Sequence, residues 1–317
     1  MSILLDPPNL TRRCTPGRAA LWLALGLMVW MGISAFLIAT LLPWVTQPEA
    51  SAFLKFLFVS EGVASGCRRI LLLVFVIVSP FFLKRMGWGG VRDLGWTSAQ
   101  TRGERKKDAL VWSLAGLSTS LVLGGSLVLL GQANWVSFGF LDAVLWILTD
   151  VLWSGVVTMI VLESFFRGMF YRTLTDQWTS WASAGVVSVL IAWFGAPSTT
   201  LVPFEEGTWA VTRFMLLHPV STWANLQIFG AALLLGLILC RFVHHKGDIW
   251  GAVGLHASIW IGLSLFTLPD GTESLLRPEF YGIALATPGF LFGLLIFWGW
   301  IEWRHRKKLT SYGRVHF

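Results

Sequence analysis

Charge is scarce in this sequence. Only 13% of its 317 residues are Asp, Glu, Lys or Arg, while 55% are hydrophobic. Soluble domains carry about 25% charged residues, so a water-soluble globular fold is excluded at the outset. Cysteine is scarce too. Cys14, Cys67 and Cys240 lie far apart with no Cys-x-x-Cys spacing, which excludes a disulfide framework and a cysteine metal site; thiols in apolar spans act as small apolar residues. Internal repeats and low-complexity tracts are absent. That counts against transporter folds built from paired repeats.

What is abundant is apolar length. A membrane-spanning helix needs about 20 mostly apolar residues. Charge-free runs of that order lie between Arg18 and Glu49, Asp108 and Asp142, Asp176 and Glu205, Arg213 and Arg241, Asp248 and Asp270, and Glu279 and Glu302. Residues 70–83 form a shorter run that must borrow from its flanks, and 143–162 is apolar apart from Asp150. The expected fold is therefore all-α, a polytopic transmembrane bundle of about eight helices. The first run is too long for a signal-peptide core and is read as a retained anchor. Nineteen Trp and 23 Phe suit a chain with two membrane–water interfaces.

The positive charge reports orientation. Eight spans put 19 of the 24 Lys and Arg on one side, leaving Lys55, Arg68, Arg69, Arg213 and Arg277 on the other. The positive-inside rule then places both termini in the cytoplasm of a cell whose inner membrane holds the chain. Membrane lipids are the expected partners. The net charge of +7 is explained by these loops, so no nucleic acid is expected. Loop 85–107, with Gly87, Gly89 and Gly90, marks a linker. It divides the chain into a cytoplasmic segment with two leader helices (1–107), a core (108–267), and a last helix with a basic tail (268–317).

Ionisable side chains inside apolar spans are costly and mark function by default. They are Asp142, Asp150, Glu163, Arg167 and His256. Asp142 belongs to an interface. Asp150, near Thr149, Ser154 and Thr158, suits a helix–helix contact as well as it suits catalysis. Glu163 and Arg167 stand at i and i+4 on one helical face, in the segment Leu162-Glu163-Ser164-Phe165-Phe166-Arg167-Gly168. His256 sits in Gly254-Leu255-His256-Ala257, where a lone His would ordinarily satisfy itself locally.

Together these two segments resemble the CPBP family, which includes type II CAAX prenyl endopeptidases and bacteriocin-processing membrane proteins. The family pattern is Glu-Glu-x-x-x-Arg followed by Gly, then a helix ending in His, then His-x-x-x-Asn. Glu163, Arg167, Gly168 and His256 fall on matching positions, and the resemblance covers roughly residues 108–267. It implies an intramembrane endopeptidase acting on prenylated or membrane-embedded peptides. Glu163 would polarise water, His256 would stabilise the oxyanion, and Arg167 would orient Glu163.

The sequence departs from the pattern at three places. Leu162 stands for the first acid, Ala196 for the second-motif His and Trp260 for the Asn. No cofactor is expected. Zinc wants three protein ligands in a catalytic site; Glu163 and His256 supply two, and neither His218 nor the loop pair His244-His245 is a well-placed third. Two alternatives stay open beside the peptidase: a catalytically inactive relative that binds or scaffolds, and a solute transporter with Asp150 and Glu163 as a proton path.

Overall fold

The computed structural model describes residues 15–52, 63–88, 94–96, 102–131, 133–137, 139–195, 207–217 and 223–267, with Leu295, Ile296, Trp298, Gly299 and Trp303. Within them the chain is an all-α membrane bundle. Helix α1 is Pro16–Val45, opened by a Thr15 cap and a proline in its first turn, both suited to a helix start. Helix α2 is Val63–Met86; the short run at 70–83 does borrow from its flanks and takes in Arg68 and Arg69. Helix α3 is Arg102–Leu129.

A single continuous helix, α4, then runs from Phe140 through Thr175 in five stretches. Phe140–Trp146, Thr158–Glu163 and Arg172–Thr175 are α-helical, while Ile147–Val157 and Ser164–Tyr171 are π-helical. Helix α5 is Ser180–Gly195, α6 is Gly207–Leu217, α7 is Trp223–Lys246 and α8 is Trp250–Leu263. Residues Asn134–Trp135 and Phe266–Thr267 pair as a two-residue antiparallel ladder.

Seven of the eight expected spans thus correspond to helices, and the eighth, between Glu279 and Glu302, lies outside the described residues. The run from Asp108 to Asp142 is not filled by one helix. It breaks after Leu129, passes Gly131 at a φ of 69° and resumes at Phe140. Helix α6 begins between two of the expected spans and includes Arg213.

Helix α8 is the centre of the bundle. Every residue from Gly251 to Ile259 is buried, as expected of a helix that is apolar all round. Its partner is α3, and small residues set their approach. A Cβ on Gly254 would lie 2.6 Å from the Ala109 carbonyl oxygen and 2.8 Å from Ser113 Oγ. One turn on, Gly116 faces Ser258 and the Leu255 carbonyl, and a further turn brings Gly262 against Ser120. Helix α7 meets α5 where Gly236 abuts Ser188.

Helices α1 and α2 form an antiparallel hairpin, joined by a Trp30 Nε1–H bond of 2.9 Å to the Leu71 carbonyl. The hairpin docks on α4 through Phe75, whose ring centroid lies 5.4 Å from those of Trp30, Phe166 and Phe170 and 5.2 Å from that of Phe165. Large apolar side chains left exposed, such as Phe36, Phe81 and Val122, belong in lipid, where an apolar outer face carries no penalty.

Candidate functional site

The π-helical stretch Ser164–Tyr171 begins directly after Glu163. Bonding from i to i+5 widens that turn and re-aims its side chains, and such segments recur at functional sites. All residues from Phe165 to Tyr171 are buried. The aromatic trio Phe165, Phe166 and Phe170 faces the α1–α2 hairpin, and the charged members of the segment face the helices of the core. Gly168 has its own reason. A Cβ there would collide with the backbone carbonyl of Leu94, because residues 94–96 cross beneath α4 at this point.

That crossing is fixed by several bonds. Ile249 N–H donates to the Gly95 carbonyl at 3.2 Å, while Trp250 Nε1 and Arg105 Nη1 donate to the Trp96 carbonyl at 3.2 and 3.0 Å. Arg172 donates to the carbonyl of Gly247, and Lys246 pairs with Asp108 at 2.7 Å. Gly95 adopts a φ of 80° with Ile249 and Arg172 crowding its Cα, a conformation glycine accepts readily. These contacts anchor one end of the bundle, and the charged cluster lies a turn or two above them.

Glu163, Arg167 and His256 come together there. Arg167 Nη1 donates to Glu163 Oε1 at 2.8 Å, and His256 Nδ1 donates to the same oxygen at 2.6 Å. The Glu163 side chain is wholly inaccessible, and Arg167 keeps 1% of its surface. His256, also buried, keeps 11%, the largest share of the three. The second carboxylate oxygen, Oε2, has no hydrogen-bond partner among the described residues. A buried carboxylate requires a cation and donors, and Arg167 is a cation at any pH. With Nδ1–H given to Glu163, Nε2 is left as the imidazole's acceptor. A carboxylate fixing the tautomer of a His in this manner is the arrangement that prepares an imidazole as a base.

Residues that the sequence reading did not single out complete the cluster. Cys240 of α7 is fully buried and lies beside Arg167 and Ser188 of α5. Tyr171, one turn beyond Arg167, is buried as well, and its hydroxyl has no partner among the described residues. Nothing in the spacing of Cys240 could have revealed this, because the contact joins three helices.

The other expected site residues fall as follows. Leu162 is half-buried and packs against the apolar core, and Trp260, one turn after His256, does the same. Ala196 and His218 lie outside the described residues, as do the side chains of Asp142 and Asp150. His244 and His245 sit at the end of α7 with ring centroids 5.6 Å apart, and His245 Nε2 lies 3.4 Å from Arg241 Nη2. Among the described residues no group of three His, Cys, Asp or Glu side chains could hold a metal ion.

Fold and site together define a polytopic α-helical membrane protein with a buried carboxylate, guanidinium and imidazole cluster at its core. Residues 143–261 match the family model of the type II CAAX prenyl endopeptidase Rce1-like proteins, and that stretch contains Glu163, Arg167 and His256. The match makes this stretch of the chain similar to that endopeptidase family. No curated protein and no solved structure gives a match.

Proposed function

We propose that the chain is a CAAX-protease-type intramembrane endopeptidase that hydrolyses peptide bonds in prenylated or otherwise membrane-embedded substrates. The observation that carries this reading is the 2.6 Å contact between His256 Nδ1 and Glu163 Oε1, made by residues 93 positions apart inside the segment that matches the endopeptidase family. Peptide hydrolysis needs a group to take a proton from water and donors for the developing oxyanion. His256 takes the first task through Nε2, with Glu163 fixing its tautomer and Arg167 holding Glu163. This exchanges the roles that the family pattern implied for Glu163 and His256, because the acid has no accessible surface and the buried imidazole keeps 11% of its own. The core works in the inner membrane, with both termini in the cytoplasm.

Cleavage of a membrane-embedded peptide by the purified, reconstituted protein tests the reading. His256→Ala is expected to lower kcat by at least about a hundredfold, the usual contribution of a positioned base, with helical content unchanged. Undiminished cleavage by His256→Ala would overturn it.

A second reading is favoured by Leu162, whose apolar side chain packs into the core where the family pattern has its first acid. There the chain is a non-catalytic relative that binds or scaffolds a membrane partner. It predicts no turnover by the wild type under any lipid composition, together with loss of partner recovery when Arg167 is replaced.

A further inference from the structure

Glu163, Arg167 and His256 are all buried, so a peptide bond reaches the imidazole only when part of the surrounding structure moves. Most of what surrounds the cluster is helix packed on helix. Along the α3–α8 seam Gly254, Gly116 and Gly262 each meet the opposite helix, and α5 meets α7 where Gly236 abuts Ser188. The α1–α2 hairpin is held by the ring contacts of Phe75. Among the described residues, the short crossing 94–96 is held differently.

That crossing touches the same two helices that make the site. On α4 the Leu94 carbonyl lies against Gly168, five residues past Glu163. On α8 the Gly95 carbonyl accepts from Ile249 N–H at 3.2 Å, and the Trp96 carbonyl accepts from Trp250 Nε1–H at 3.2 Å. Trp250 stands six residues before His256, about 9 Å along a helix. The Trp96 ring meets the Trp250 ring edge-on, with centroids 5.0 Å apart. A third donor, Arg105 Nη1–H at 3.0 Å from the Trp96 carbonyl, comes from the first turn of α3. The crossing therefore lies over one end of the α4–α8 seam, below the Glu163–His256 contact. Its bonds end on main-chain carbonyls, and Gly95 between them holds a φ of 80°. A few such bonds are released more readily than a helix–helix seam, and elements that move for binding come from the least stable parts of a fold.

We propose that residues 94–96 are a strap that closes the approach to His256 from the end of the bundle where α4 finishes and α3 and α8 begin. A peptide reaches the imidazole when the strap lifts from Gly168 and Trp250. An extended peptide offers main-chain carbonyls of the same kind, so its backbone takes over the donors that the strap gives up. The proposal rests on reading His256 as the group that meets the peptide, but the strap itself is tested without turnover.

The test reads His256 directly, through its modification by diethyl pyrocarbonate in the full chain held in lipid nanodiscs, followed by peptide mass spectrometry. In the wild type His256 is expected to react slowly. Gly95→Ala would set a Cβ 2.9 Å from Ile249 Cγ2 in a backbone conformation that disfavours side chains. It is expected to speed the reaction by about tenfold or more, as the loss of hydrogen bonds of this kind implies. Arg105→Met with Trp250→Phe removes two donors and keeps Gly95; it is expected to do the same, and it decides the matter if Gly95→Ala does not fold. Gly124→Ala, which drives a Cβ into the Phe266 ring at the opposite end of α3 and α8, is expected to leave the His256 rate unchanged. Unchanged modification in both strap variants would overturn the proposal, as would wild-type modification as fast as that of the unfolded chain. So would equal acceleration by Gly124→Ala, which would mark general loosening or an approach from the opposite end. Strap variants that expose His256 in a chain that cleaves nothing would uphold the strap and count against the endopeptidase reading alone.

Discussion

Both donors of the buried carboxylate converge on one oxygen. Arg167 Nη1 and His256 Nδ1 lie 2.8 and 2.6 Å from Glu163 Oε1, while Oε2 is unpartnered among the described residues. Arg167 therefore does the larger electrostatic work, since a carboxylate without its cation is the costly state in a buried site. Arg167→Met is expected to destabilise the protein by about 3–5 kcal/mol, the usual cost of removing one partner from a buried ion pair. The double variant Glu163→Leu with Arg167→Met, which removes both charges, is expected to be less destabilised than Arg167→Met alone. Thermal unfolding of the detergent-solubilised variants, arranged as a double-mutant cycle, checks it; additive effects would show that the pair is not coupled. Residue identity made Glu163, Arg167 and His256 legible in the sequence, because ionisable groups in apolar runs stand out. Their shared oxygen was not legible. Nor was Cys240, which reads as a small apolar residue until α5 and α7 bring Ser188 and the thiol beside Arg167.

At the scale of the element, the departures from expectation have a single source. Hydropathy counts residues in a run but does not say how each backbone carbonyl is bonded. The break after Leu129, the short helix α6 and the two π-helical stretches of α4 are all hydrogen-bonding events within apolar sequence. The π-helical stretch matters most, because the 100° offset between neighbours on an ordinary helix argues that Glu163 cannot take the position of Leu162. The observed helix leaves its α-helical course directly after Glu163, and it is Glu163 that meets α8. Small residues are the second determinant. Gly254→Ala would set a Cβ 2.6 Å from the Ala109 carbonyl oxygen, so α3 and α8 must separate. A loss of about 1–3 kcal/mol is expected, typical of overpacking in a tight core. Gly230→Ala in α7 meets nothing within 4 Å and is expected to be neutral or stabilising, by up to about 1 kcal/mol, through helix propensity. Paired unfolding measurements on the two variants separate packing from propensity, and equal losses would discount the α3–α8 contact.

At the scale of the whole molecule, the distribution of charge makes a claim that the helices alone do not. The helical membrane bundle was legible because charge-free length is a direct requirement of the hydrocarbon layer. Orientation follows from a different force, the retention of short basic loops on the cytoplasmic side. An even number of crossings would gather the N-terminal arginines, the basic residues from Lys84 to Lys107 and the basic tail on one face; an odd number would scatter them. Reporter fusions placed at Met1 and at Phe317 are therefore expected to respond alike, both active as cytoplasmic reporters and both protected from protease added outside intact cells. A reporter inserted between Glu49 and Lys55 is expected to behave oppositely. The hairpin of α1 and α2 makes that third position informative, because the two helices are joined in antiparallel register by Trp30 and Leu71 and so must return the chain to the side on which it entered. Opposite behaviour of the two termini would require an odd number of crossings. It would also put the N-terminal arginines and the basic tail on opposite faces of the membrane.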